Sequence, residues 1–159
     1  MSFSKDIKNE ILSKDIEQDC CCLAFLSGLF SSSANIETSN SLSLSLNTDL
    51  EKLCEVVDKI VKKLYGKNIA IENQKSYQIK KEDFYKIIFD DSLAYDILID
   101  TGCLYQENGN LIRNFDVDEY KIKEEHCLKS FVAGVFVGCG TSSIKINKYI
   151  PKVEIAPVT

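Results

Sequence analysis

The stretch Cys21–Ile36, CCLAFLSGLFSSSANI, decides the fold because it occurs twice. Displaced by 106 residues, it lies over Cys127–Ser143, CLKSFVAGVFVGCGTSS. Cys21 then falls on Cys127, Phe25 on Phe131, Gly28 on Gly134 and Phe30 on Phe136, while Leu26 and Leu29 meet Val132 and Val135. Each copy reads as an apolar helix followed by a hairpin, which points to duplication of one helix-plus-hairpin unit. A glycine inside a helix costs about 1 kcal/mol relative to alanine and is tolerated where two backbones approach closely. The repeat therefore predicts a pair of helices packed through Ser27, Gly28, Ala133 and Gly134. The first of them is expected from about Glu17 to Phe30, stopping at the serines.

The flanking sequence supplies the rest of the unit. Phe3, Ile7, Ile11 and Leu12 recur on one face of an N-terminal helix that Ser2 or Ser4 can cap. In SLSLSLN (residues 41–47), Leu42, Leu44 and Leu46 alternate with Ser41, Ser43, Ser45 and Asn47, the pattern of a half-buried strand; NIETSN before it supplies the hairpin partner. A helix follows, capped by Thr48 or Asp49, striped by Leu53, Val56, Val57, Ile60, Val61 and Leu64 and stopped by Gly66. NIAIENQKSYQI and DFYKIIF read as a second hairpin, and DSLAYDILIDTG as a short helix closed by Gly102. Beyond a linker, the second apolar helix is expected to start near Asp118. In the segment after it, Lys145, Asn147 and Tyr149 alternate with Ile144, Ile146, Lys148 and Ile150; Pro151 and Pro157 suit a strand end or an edge. The fold class is thus α+β. Two αββαββα halves share a central helix pair beneath a saddle-shaped antiparallel sheet. Residues 1–113 form the N-terminal helix and first half, and residues 114–159 the start of an incomplete second half.

Composition narrows the function. The 159 residues carry 24 acidic against 19 basic side chains, a net charge of −5, so no global basic footprint for nucleic acid exists. Arg113 is the only arginine, which makes bidentate reading of guanine scarce. The amphipathic N-terminus is not a secretory signal, and no segment is long and apolar enough for a bilayer, so a cytoplasmic protein without a membrane partner is expected. Seven cysteines, three of them consecutive at Cys20, Cys21 and Cys22, read as reduced thiols rather than a disulfide framework. The favoured reading makes them small core residues at the starts of two packed helices, with no metal and no cofactor. Adjacent cysteines on a helix point about 100° apart, so three in a row do not easily share one ion. The repeat nonetheless sets Cys20 and Cys21 against His126 and Cys127, and a meeting across the pair stays open as a zinc site. His126 has no nucleophile at a recognisable spacing, which leaves a hydrolase without support.

LSGLFSSSA and VAGVFVGCG resemble degenerate copies of the LAGLIDADG motif of homing endonucleases. MSFSKDIKNEIL, DCCCLAFLSGLFSSSANI, EEHCLKSFVAGVFVGCGTSS and the tail KVEIAPVT, in that order, resemble the WhiA family of bacterial sporulation regulators over essentially the whole chain. The resemblance implies a DNA-binding transcriptional regulator of sporulation or cell division, associated with the nucleoid, in which a catalytically dead LAGLIDADG domain precedes a helix-turn-helix. By that resemblance the sequence is expected to reach only the first hairpin of the second repeat, without the helix-turn-helix. The partner implied is double-stranded promoter DNA, with protein partners and self-association through the exposed sheet edge as further expectations. The DNA-facing residues expected are Ser43, Ser45 and Asn47 on the first polar face, Lys145, Asn147 and Tyr149 on the second, and Lys75, Lys80, Lys81 and Lys86 of the second hairpin. The resemblance places the metal-binding acids of a nuclease at Ser33 and Cys139. Neither is a hard anionic ligand, and Glu37, the nearest acid downstream, falls past the helix end, so no catalytic residue is expected. The alternatives are a residual endonuclease and a protein-interaction or structural module without DNA binding.

Overall fold

The two copies of the apolar helix lie side by side in the middle of the molecule. The structure is a computed structural model that describes residues 3–39, 41–75, 83–114 and 122–139, with side chains at Phe3, Ser4, Gln74, Lys75 and Asp83 outside the description. The elements run α1 (Phe3–Leu12), α2 (Asp19–Ser33), β1 (Ala34–Glu37), β2 (Ser43–Thr48), α3 (Glu51–Tyr65), β3 (Ala70–Lys75), β4 (Asp83–Phe89), α4 (Asp91–Asp100), β5 (Leu104–Glu107), β6 (Asn110–Arg113) and α5 (Glu125–Gly138). The helix pair of the repeat is α2 and α5, which share the most extensive packing of any two elements.

Strands β1 to β4 form one antiparallel sheet in the order β1-β2-β4-β3. Alternation decides its two faces. Leu44 and Leu46 of β2 and Ile87 and Phe89 of β4 are buried against Phe25, Leu26, Leu29 and Phe30 of α2 and the stripes of α3 and α4. The rings of Phe30 and Phe89 meet edge-on with centroids 5.6 Å apart, a favoured aromatic geometry. A smaller cluster on the other side of the pair joins Cys21 and Ala24 to Cys127, Phe131, Val135 and Cys139.

Local chemistry sets the element ends. Helix α3 ends at Gly66, whose φ of 67° is the left-handed conformation that stops a helix cheaply. At the start of α4, Asp90 accepts the Leu93 N–H at 2.8 Å. At its end, Gly102 N–H bonds the Ile99 carbonyl and Cys103 N–H the Leu98 carbonyl, with Gly102 at φ 80°, the double bond of a Schellman motif.

Four expectations change. Helix α2 does not stop at Phe30 but continues through Ser33. Ser32 and Ser33 donate their hydroxyls to the Leu29 carbonyl at 3.1 and 3.0 Å, so the serines satisfy the helix instead of breaking it. Neither Thr48 nor Asp49 is the N-cap of α3: Leu50 holds that position, and Thr48 Oγ1 accepts the Leu50 N–H at 3.0 Å one step upstream. The linker contains the β5–β6 hairpin, turned by Asn108 and Gly109 at φ 53° and 81°, the two positive angles of a type I′ turn. Finally, α5 begins at Glu125, because residues 122–124 are already non-helical. Residue 2, residues 118–121 and the second hairpin expected beyond residue 139 lie outside the described residues. No described helix is long and apolar enough to cross a membrane.

Candidate functional site

Three places carry chemistry: the outer sheet face and the two ends of the α2–α5 pair. On the outer face, Ser43 and Asn47 are exposed and Ser45 is half-buried. Register assigns their neighbours. Ser45 lies between Asn35 of β1 and Ile88 of β4, Ser43 opposite Glu37, and Asn47 opposite Lys86, whose other neighbour is Glu72 of β3. Directly opposed residues share a face, so among the described residues Lys86 shares this face with the carboxylates Glu72 and Glu37 and with apolar Ile88. Lys75 is paired with Asp83 at the end of its hairpin, with its side chain outside the description. Lys80, Lys81, Lys145, Asn147 and Tyr149 lie outside the described residues. Asn35, Glu37 and Glu72 share this face with Ser43, Ser45 and Lys86, a neighbourhood that only the strand register brings about.

The helix pair itself is held at van der Waals limits. A Cβ on Gly28 would stand 2.1 Å from the Phe131 carbonyl oxygen, and one on Gly134 would stand 2.1 Å from that of Phe25. Phe25 and Phe131 are equivalent under the repeat, so the crossing obeys the internal two-fold relation of the sequence. Ser27 is buried beside the crossing, and Ala133 is partly buried.

At the C-terminal ends, Ser33 is engaged with its own helix and Cys139 is 3 % exposed. Gly138 brings α5 close enough that an added Cβ would sit 2.3 Å from Ser32 Oγ and 2.9 Å from Ser33 Oγ. A hollow of about 180 Å³ beside these ends is lined by Ser33, Asn47, Asp49 and Phe84 among others. Lys8 of α1, only 4 % exposed, places its ammonium 5.7 Å from the centroid of the Phe136 ring. Burial lowers its pKa, while the nearby Asp49 and Cys139 act in the opposite sense. Sequence reasoning missed Lys8, which sits one residue off the apolar stripe of α1.

The N-terminal ends are different. The first turns of α2 and α5 converge so that one donor atom from each of Cys20, Cys21, His126 and Cys127 lies within 4.8 Å of every other. His126 Nδ1 is 4.0 Å from Cys20 Sγ, 3.2 Å from Cys21 Sγ and 3.5 Å from Cys127 Sγ. Cys20 and His126 are exposed, whereas Cys21 and Cys127 are buried. The Gln18 side-chain oxygen lies 3.5 and 4.0 Å from Cys20 and Cys21 Sγ. Burial, together with the thiols of Cys20 and Cys21, pushes the Cys127 thiol up to about 12. Cys22 turns away and donates to the Ile16 carbonyl at 3.6 Å. It is a core residue, as are Cys54 and Cys103. The reading of the cysteines as core thiols thus describes six of the seven, while exposed Cys20 departs from it.

The family described as the WhiA N-terminal LAGLIDADG-like domain matches residues 19–104. A relative from Clostridium novyi (strain NT), named "Probable cell division protein WhiA", is 27 % identical over 146 residues, covering 90 % of this chain and 46 % of the relative. One of the same name from Clostridium acetobutylicum is 26 % identical with the same coverage. The chain therefore spans about half the length of the curated relatives it matches. Among solved structures, the crystal structure of the N-terminal LAGLIDADG domain of DUF199/WhiA superposes with a TM-score of 0.54 at 16 % identity, covering 86 % of this chain and 58 % of that one. That likeness establishes the LAGLIDADG-like arrangement.

Proposed function

The chain belongs to the WhiA family through its LAGLIDADG-like domain, and on that premise we propose that it is a non-catalytic DNA-binding domain of a transcriptional regulator of sporulation or cell division. One observation carries the loss of catalysis. A LAGLIDADG nuclease needs a carboxylate at the end of each central helix to hold divalent ions for phosphodiester hydrolysis. The corresponding ends here are Ser33, bonded to its own helix, and Cys139, buried at the C-cap of α5. A thiol and a hydroxyl are poor ligands for Mg²⁺.

The polar outer face supports contact with a duplex. Ser43, Ser45, Asn47 and Asn35 offer donors and acceptors suited to sugar, phosphate or base edges, and Lys86 adds one cation. With Glu37 and Glu72 on the same face, affinity driven by phosphate neutralisation is small, so the domain orients a regulator whose main DNA grip lies elsewhere. The name of the relatives ties them to cell division, and the regulatory role is what the family resemblance implies. A protein-interaction surface is the second reading, favoured by the net charge of −5 and those two carboxylates. Cytoplasmic, nucleoid-associated placement belongs to the same proposal.

Gel retardation of a duplex at increasing salt tests it. Retardation at low salt that weakens shallowly as salt rises agrees with few phosphate contacts. No retardation at low salt removes the DNA role and leaves the protein-interaction reading. Nicking of supercoiled plasmid with Mg²⁺ or Mn²⁺, abolished by EDTA, would overturn the loss of catalysis.

A further inference from the structure

We propose that Cys20, Cys21, His126 and Cys127 form a tetrahedral zinc site that staples the N-termini of α2 and α5, and hence the two repeats, to each other. The donor set is three sulfurs and one imidazole nitrogen, a combination typical of structural zinc. Its dimensions fit. With Zn–S near 2.3 Å and Zn–N near 2.0–2.1 Å, a tetrahedral centre separates sulfur from nitrogen by about 3.6 Å and sulfur from sulfur by about 3.8 Å. The three nitrogen–sulfur distances of 3.2, 3.5 and 4.0 Å bracket that value, and no pair of the four donors exceeds 4.8 Å. So compact a set leaves room for one ion. Sulfur and imidazole select zinc over the hard cations Mg²⁺ and Ca²⁺.

The position resolves the objection that neighbouring helix cysteines diverge. Each helix contributes two consecutive residues, Cys20–Cys21 and His126–Cys127, and the ion would sit between the helices rather than on one of them. The two first turns direct their free N–H ends and positive dipole ends toward this region, which favours the negative charge of bound thiolates. A neutral Cys127 thiol is no obstacle, because a coordinated thiol is deprotonated by the ion. Mere core filling explains Cys22, but not an exposed Cys20 and an exposed His126 facing a common point.

The test uses the chain without a polyhistidine tag, purified anaerobically under reducing conditions. Elemental analysis is expected to find one zinc per chain. Replacement by Co²⁺ is expected to give the ligand-field and thiolate charge-transfer bands of a tetrahedral centre. Cys20→Ala and His126→Ala remove exposed ligands, so both are expected to keep the helical circular dichroism. Each should weaken metal retention by more than the roughly 10–100-fold that loss of an outer hydrogen-bond partner produces, while Cys54→Ala retains the metal. Zinc removal by a chelator is expected to lower the melting temperature of the parent chain but not of Cys20→Ala. The assignment is overturned by protein that neither holds zinc nor develops the cobalt bands, or by variants that keep their metal.

Discussion

The two ends of the α2–α5 pair descend from one repeated sequence yet carry opposite chemistry. At the N-terminal ends, four ligand-type side chains converge within 4.8 Å. At the C-terminal ends, where a nuclease of this fold would concentrate its acids, stand a hydroxyl turned back on its helix, a buried thiol and a glycine. Between them, two glycines let the backbones touch. The close crossing depends on backbone shape and survives any change of side chains at the ends. The ends project their side chains into shared space, so a few substitutions there redefine what the fold can bind.

The largest expected effect comes from the crossing that both ends depend on. Gly134→Ala places a methyl 2.1 Å from the Phe25 carbonyl oxygen. Because the obstacle is backbone, the helices must separate, at a cost at the top of the range of about 1–3 kcal/mol for overpacking. That exceeds the gain of about 1 kcal/mol in helix propensity. Urea unfolding measures it, and an unchanged midpoint would break the argument that the pair is in backbone contact.

A smaller loss is expected from restoring acids at the C-terminal ends. In the double variant Ser33→Asp, Cys139→Asp, one carboxylate replaces a thiol that is 3 % exposed. It also stands at the negative end of a helix dipole. Taking a charge out of water there costs more than its attraction to the nearby Lys8 ammonium returns. The isosteric Ser33→Asn, Cys139→Asn variant should therefore melt higher than the Asp form. The reverse order would mean that these ends still accommodate anions.

Thiol labelling compares the exposed N-terminal end of the pair with the core without mutation. In metal-free protein, an alkylating agent at neutral pH should modify exposed Cys20 well before Cys22 and Cys54. Burial raises both buried thiols, Cys54 to about 11, so little reactive thiolate forms there. Mass spectrometry of peptides gives the order, and early modification of Cys54 would contradict its burial.

The smallest effect lies away from both ends. The Leu93 N–H bond holds the Asp90 carboxyl below its ordinary 3.8. A depressed folded pKa stabilises above the unfolded value and is lost as pH falls through the folded one. Asp90→Ala should therefore lower the melting temperature slightly at neutral pH. The difference should disappear in acid below 3.8; a gap that persists there would rule out the ionised cap as its cause.

Much of the fold was legible because its signals are local or repeated. Leu42, Leu44 and Leu46 declare a strand by alternation, Gly66 ends a helix, and Gly28 with Gly134 marks a helix crossing. The β5–β6 hairpin carries an equally local signal, the two-residue turn Asn108-Gly109, inside the segment expected to be a linker. The end of α2 was not legible, because serine both breaks and caps helices, and only the bonds to the Leu29 carbonyl distinguish the two. On the sheet, alternation selected Ser43, Ser45 and Asn47. Placing Glu37 and Glu72 beside them needed the cross-strand register, which depends on how neighbouring strands slide.

Sequence alone determined the helical and strand periods and the duplication, because these depend on residue identity and spacing within a segment, whereas the reading of Ser33 and Cys139 as replaced acids follows from the resemblance to the LAGLIDADG motif. Tertiary structure alone decided that Lys8 is buried against Phe136 and that Cys20 and Cys21 meet His126 and Cys127. Those facts depend on the distance and rotation between elements far apart in the chain. For the donor cluster, both are set by backbones touching at Gly28 and Gly134.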